Sequence, residues 1–257
     1  MIASPTIFFL LVFALSVPFF VLGALGGRLP GAQLLPSSAL MTFVPMFAAF
    51  LLVYRSRGAA GMVIAAQNML TASRSTSLRW YIIALLFLPA ICVFEFGIIR
   101  LTGIAVPFPQ VTSGEVLFFF AAFFIGAIGE EAGWQGYAYP ALRSRHSVMK
   151  SAVILGVIWA LWHVIPFIQL GRSGEWIMWH SLSAVAMRII IVWLVECSGS
   201  GTFVAVLFHM MINVSWALFP VAGSYYDPFV TFVLLAASAG LIVLFWRPST
   251  KHRNSFA

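Results

Sequence analysis

Of the seven Asp and Glu residues in this 257-residue chain, Glu130 and Glu131 are adjacent, and they end an apolar run that begins near Val116. They sit in Gly129-Glu130-Glu131-Ala132-Gly133-Trp134-Gln135-Gly136-Tyr137. A charge at the centre of a bilayer costs about 2.5–3.5 kcal/mol even on the lenient insertion scale, so an acid in such a run marks a candidate functional site. Other apolar runs carry possible partners. These are His163 in Trp159-Ala160-Leu161-Trp162-His163, the pair His209 and Asn213 in His209-Met210-Met211-Ile212-Asn213, and Arg188, the only basic residue well inside an apolar segment. Acids and imidazoles gathered inside a helical bundle could move protons or ligate a metal ion. Spacing narrows how they could meet: His209 and Asn213 stand at i and i+4 and share a helix face, as do Glu130 and Trp134, whereas Glu131 is turned by about 100°. The two acids cannot both point at one spot unaided.

The elements that must position these residues are helices in a membrane. The chain is 62% hydrophobic and only 8% charged, against about 25% charged in an ordinary soluble domain, and its mean hydropathy is +1.02. The runs are continuously apolar rather than alternating, which predicts an all-α, polytopic membrane helix bundle and argues against a sheet or barrel. No polar stretch is long enough to make a soluble domain, so residues 1–257 read as a single integral membrane domain. Cys92 and Cys197 are too few for a disulfide framework or a thiolate metal site and read as packing residues. A net charge of +7 does not imply nucleic acid, because the Lys and Arg residues fall in short inter-helix stretches rather than in one basic stripe.

About eight apolar segments are expected, near 7–25, 39–54, 80–99, 115–140, 151–168, 176–195, 202–218 and 229–246. The first has no Lys or Arg before it and approaches the ~20 residues of a spanning helix, so it reads as a retained helix rather than a signal peptide. Pro140 is expected to stop the fourth. With eight spans, the stretches after segments two and four and the C-terminal tail hold ten Lys and Arg, and the opposite face has Arg28, Arg100 and Arg172. The positive-inside rule then puts both termini in the cytoplasm, with a plasma-membrane location if the source is bacterial. Counting from the cytoplasmic ends, Glu130 lies ~13 Å deep, His209 and Arg188 ~12 Å, Asn213 ~18 Å and His163 ~20 Å. All could line one cavity.

At these residues the chain resembles a known family. Glu130-Glu131-Ala132-Gly133-Trp134-Gln135-Gly136-Tyr137 with Pro140 is similar to the first motif of the CAAX protease and bacteriocin-processing intramembrane proteases, which include the type II CAAX prenyl endopeptidases. That motif is two glutamates, three residues, then arginine. Trp159 to His163 resembles the second motif, an aromatic four residues before a histidine, and His209 to Asn213 the third, a histidine four residues before an asparagine. Three motifs in order on three apolar segments make a strong joint signal, covering roughly residues 115–218. Two positions depart from the pattern: Gln135 stands where the family usually has arginine, and Trp159 where phenylalanine is commonest. The resemblance implies an intramembrane endopeptidase that cuts a membrane-associated peptide or protein. Glu130 would activate water with help from His163, His209 and Asn213 would donate to the oxyanion, and Glu131 would support them.

Other readings stand beside this one. A catalytically silent relative could bind, regulate or confer immunity, and a transporter could use the acids as a proton relay, although paired repeats or broken helices are not evident. No cofactor is expected. Zinc, if present, would draw on Glu130, Glu131, His163 and His209, but the sequence has no His-Glu-x-x-His arrangement. Arg188, level with Glu130 and His209, is expected either to pair with Glu131 in place of the motif's missing arginine or to snorkel to the interface. His146, His180 and His252 read as packed, hydrogen-bonded groups, Glu95 and Glu196 as interfacial, and Trp134, Trp162 and Trp216 as packing or cavity walls.

Overall fold

The computed structural model describes residues 4–26, 28–29, 32–70, 76–199 and 201–246. Among them are seven helical spans long and apolar enough to cross a membrane and one shorter apolar helix of 17 residues. The chain is an integral, multi-pass, all-α membrane protein. The strands among the described residues are a small antiparallel ribbon of β1 (Arg28–Leu29) and β2 (Ala32–Pro36), which follows α1 (Pro5–Ala24). His252, Arg74 and the basic tail Arg247, Lys251 and Arg253 lie outside the described residues.

A 3-10 stretch, Ser37–Phe43, leads into α2 (Val44–Leu70), which breaks at Gly58 where φ is 65°. Arg55 and Arg57 are therefore exposed on a helix rather than in a loop, a correction to the expected boundary near residue 54. After α3 (Leu78–Leu101), α4 (Ser113–Gly133) starts with a reciprocal capping box. The Thr112 hydroxyl accepts from Glu115 N–H at 3.2 Å and Glu115 Oε2 accepts from Thr112 N–H at 2.8 Å.

The helix does not stop at Pro140. A π-helical turn, Trp134–Ala138, joins α4 to α5 (Tyr139–Arg143), with Tyr139 N–H bonded back to the Trp134 carbonyl. The wider turn restarts the helical register, so Pro140 occupies a first-turn position, where a missing N–H costs nothing. α6 (Val148–Gln169), α7 (Gly174–Ser198), α8 (Thr202–Leu218), a single turn α9 (Pro220–Gly223) and α10 (Pro228–Phe245) complete the order.

α8 is the core element. It packs against α2, α3, α4 and α7, and most of its side chains are buried. α6 packs on α7, which packs in turn on α10. Two close approaches position the site. On α4, a Cβ added at Gly129 would lie 2.8 Å from the Thr42 carbonyl, and one at Gly133 would lie 2.5 Å from that of Pro45, so the 3-10 stretch runs directly against the acids. From the other side, Trp162 Nε1 donates to Ser16 Oγ at 2.8 Å and Gln169 Nε2 to the Phe20 carbonyl at 2.7 Å, pinning α6 to α1. Trp134 and Trp162 are fully buried packing residues.

Glu95, expected near the interface, sits level with the first turn of α10 and is enclosed by protein. It is fully buried, accepting from Asp227 N–H at 2.7 Å and from the Thr231 hydroxyl at 2.6 Å, so it fastens α3 to the start of α10. Two donors make burial of a carboxylate tolerable where no water can solvate it. Glu196 likewise is tied down, accepting from Tyr139 OH at 2.6 Å with Arg143 Nε 3.7 Å away.

Candidate active site

Glu130 ends the apolar run of α4 and is almost wholly buried. Its two oxygens differ. Trp159 Nε1 donates to Oε2 at 2.8 Å, whereas Oε1 faces three groups: the Thr42 hydroxyl at 3.3 Å, His209 Nε2 at 3.8 Å and His163 Nε2 at 4.0 Å. One oxygen is held and the other is presented. The imidazole separations exceed direct hydrogen bonds but match the span that a single water can bridge.

Acceptors set the tautomers. His163 Nδ1 lies 2.9 Å from the Trp159 carbonyl, which can only accept, so Nδ1 carries a proton and Nε2 is the nitrogen turned toward Glu130. His209 Nδ1 lies 2.6 Å from Glu131 Oε1 and donates to it. Its Nε2 can therefore donate toward the cavity only when both ring nitrogens carry a proton.

Glu131, about 100° around the helix from Glu130, meets the same His209 ring at its other nitrogen. Its Oε2 accepts from Arg188 Nη1 at 2.7 Å, and both side chains are fully buried. Of the two expectations for Arg188, pairing is what the structure shows, and snorkelling is not. Its guanidinium also lies 4.5 Å from the centre of the Trp159 ring. Arg188 thus backs both residues that orient the site: Glu131, which holds His209, and Trp159, which holds Glu130. Gln135 is buried in the π-helical turn, and among the described residues neither of its amide atoms has a hydrogen-bond partner. The cation expected from the motif's own helix comes instead from α7.

These groups close one end of a cavity of about 470 Å³ whose walls are largely aromatic and aliphatic. Asn213 lines it one turn beyond His209, as do Trp216 and His180. His180 is packed as expected, stacked on Trp176 with ring centres 4.7 Å apart and its Nδ1 3.3 Å from Tyr226 OH.

Paired acids and two histidines at one end of an apolar cavity occur here on the three segments where the motifs fall. Residues 112–215 match the family described as type II CAAX prenyl endopeptidase Rce1-like. This stretch is Rce1-like. It is also similar to the "CAAX prenyl protease 2" of Methanococcus maripaludis, 34% identical over 103 residues. The match takes in 37% of this chain and 38% of that relative, so it spans well under half of either. Within the Rce1-like stretch, every expected site residue except Gln135 and Asn213 is drawn into one hydrogen-bonded or ion-paired cluster. Asn213 joins it only through the cavity wall.

Thr42 is the residue that sequence reasoning missed. Thr42 lies far outside the Rce1-like stretch, and its hydroxyl reaches both Glu130 Oε1 and, at 3.0 Å, the Gly126 carbonyl. A lone threonine between apolar residues carries no pattern. Its one sequence signal is the spacing of Gly126, Gly129 and Gly133, which announces a close neighbour without naming it.

Proposed function

We propose that the chain is an intramembrane endopeptidase of the glutamic type, acting on a membrane-associated peptide or protein. Glu130 Oε1, with the His163 Nε2 lone pair beside it, takes a proton from a water held between them, and the resulting hydroxide adds to the peptide carbonyl. His209 Nε2–H, as imidazolium on Glu131, and the Asn213 amide donate to the oxyanion. When the intermediate collapses, the C–N bond breaks and the proton on Glu130 passes to the departing amine. The single observation that carries this reading is the Glu130 carboxylate, fixed through one oxygen and offering the other to two imidazoles inside an apolar cavity. The similarity to the CAAX prenyl protease 2 of Methanococcus maripaludis makes a prenylated C-terminal peptide the first substrate to try. Hydrolysis by the purified protein, abolished in Glu130→Ala, is the expected result, and hydrolysis surviving that substitution refutes the reading.

A metal-free mechanism belongs to the same proposal. Among the described residues no three His, Cys, Asp or Glu side chains converge on a cation position, and both oxygens of Glu131 are already engaged by Arg188 and His209. Those residues do not suit zinc as a set of four ligands. Activity should persist after chelation and dialysis, and one bound zinc per chain that tracks activity would overturn this. A binding or immunity role without turnover is favoured by one feature, Gln135, whose amide has no partner among the described residues. Arg188 on Glu131 weighs against it, because it restores a cation to the acids. Both termini are assigned to the cytoplasm on the distribution of basic residues.

A further inference from the structure

The second apolar span is longer than a bilayer needs. It runs for 30 residues, Ser38–Gln67, which as one straight helix would reach about 45 Å across a hydrocarbon core of about 30 Å. The chain breaks it at a fixed place. Ser37–Phe43 as a 3-10 stretch and residues 44–57 as α-helix already cover about 35 Å. At Gly58 φ is 65° and ψ is −167°, a region that in practice only glycine occupies. Beyond this break the helix packs tightly on the end of the span: a Cβ at Gly61 would collide with Arg57 Cβ and lie 3.3 Å from Val53 Cγ1. Met62, Ala65 and Ala66 are partly buried, whereas Ala60, Val63 and Ile64 form an exposed stripe at i, i+3 and i+4, with Val63 and Ile64 at 56% and 57%. Residues 58–70 carry no charge, and two exposed arginines, Arg55 and Arg57, stand just before them. Among the described residues neither arginine makes an ion pair.

We propose that residues 59–70 form a surface helix in the lipid interface, with the apolar stripe among the acyl chains and Arg55 and Arg57 on the phosphates of anionic phospholipids. The inference does not depend on peptide hydrolysis. Two observations select this partner. The stripe has no charge to hold it in water, and the hydrocarbon core is already spanned by residue 57. The position left is the boundary between headgroups and acyl chains, where such helices sit about 5–10 Å deep. The second observation is charge. Arg79 lies 4.9 Å over Trp80 at the start of α3, and Arg145, after α5, and Lys150, at the start of α6, are exposed. Glu196, at the end of α7, is already held by Tyr139 and Arg143. An anionic headgroup complements such a face, and each arginine near the surface should favour it about 5-fold. An anchor here fixes the height of α2, whose first turn lies against Gly133 beside the two acids.

The test uses the full chain, with Cys92 and Cys197 replaced by alanine, in vesicles of equal phosphatidylglycerol and phosphatidylcholine. A nitroxide attached to Ile64→Cys, read by its relative accessibility to oxygen and to a water-soluble nickel chelate, should lie about 5–10 Å below the phosphates. Free access to the chelate would put the helix in water. A depth beyond about 15 Å would make α2 one long span, and dipolar broadening between labels would make the stripe a contact between two copies. Each of these three results overturns the proposal. Headgroup choice is read separately, by native mass spectrometry of protein taken from micelles that hold the two lipids equally. Retained phosphatidylglycerol should exceed phosphatidylcholine. The pair Arg55→Gln and Arg57→Gln should cut that excess by about 5-fold or more, and the pair Arg55→Lys and Arg57→Lys should keep most of it. Both arginines are exposed, so melting should be unchanged in either double variant. An excess that survives the glutamine pair, or no excess in the parent protein, takes the headgroup away from these arginines and the proposal with it.

Discussion

His209 shows how much one side chain is asked to do: Nδ1 is committed to Glu131, so anything given to substrate must leave through Nε2. Asn213 has no such commitment among the contacts described. If the two donate to an oxyanion, Asn213→Ala should lower kcat by about 10²-fold or more with unchanged thermal melting. A fall in melting temperature with kcat intact would mark Asn213 as an interhelical contact instead. The two acids should separate by the same pair of readouts. Glu130→Gln is expected to abolish turnover while the fold survives. Glu131→Gln strips Arg188 of its counter-charge, a loss of about 3–5 kcal/mol for a buried pair, so it should depress melting as well as turnover. Thr42 offers a finer test. Its single hydroxyl hydrogen can serve Gly126 or Glu130 but not both, so Thr42→Ser should keep activity and Thr42→Val should lower kcat with little change in KM. Equal activity in the two variants would remove Thr42 from the site. Glu130, His163, His209 and the Arg188 pairing were legible because an ionisable group in an apolar run has few reasons to be there. Thr42 was not, because a hydroxyl on an apolar segment is cheap and common.

Among the elements, the seam between α4 and the segment Ser37–Phe43 with the start of α2 decides whether Glu130 meets Thr42 at all. A Cβ at Gly133 would sit 2.5 Å from backbone and side chain of Pro45, whereas one at Gly136 meets its nearest atoms at an ordinary 3.6 Å. Gly133→Ala should therefore destabilise the detergent-solubilised protein by about 1–3 kcal/mol through overpacking, and Gly136→Ala should not. Matched unfolding curves for the two would show that the seam opens freely. The eight apolar segments could be read from hydropathy, and their ends could not. The fourth ran past Pro140 because a π-helical turn, invisible to a rule about proline in regular helix, resets the register first. The burial of Glu95 was hidden for a related reason: its partners, Asp227 N–H and Thr231, come from 132 and 136 residues away, and local pattern says nothing about them.

For the whole molecule, orientation is the property that basic residues predict and helix packing alone does not. Ser144, after α5, and Ser224, before α10, are both exposed. In a chain with Cys92 and Cys197 replaced by alanine, Ser144→Cys should react with an impermeant maleimide only from the cytoplasmic side, and Ser224→Cys only from the opposite one. The reverse pattern would turn the cavity end opposite Glu130 toward the cytoplasm. The central helix α8 is the shortest of the eight, which hydropathy read as one more span among equals. Its 17 residues suffice because its neighbours, rather than lipid, surround most of it.

Trp159 ties three helices together, since its N–H goes to Glu130 on α4 and its face lies against Arg188 on α7. Phenylalanine, the commoner residue at this motif position, would keep the face and lose the donor. The arginine on α7 thus touches Trp159 directly and supplies the charge that Gln135 lacks, so these three positions read as one coupled set. Such a set has a signature in fitness rather than in contacts. Gln135→Arg alone would place a second cation near an acid already paired, and Arg188→Leu alone would leave that acid bare. Each single change should be worse than the double, and the routes by which a lineage could pass between the two arrangements without losing activity should be few.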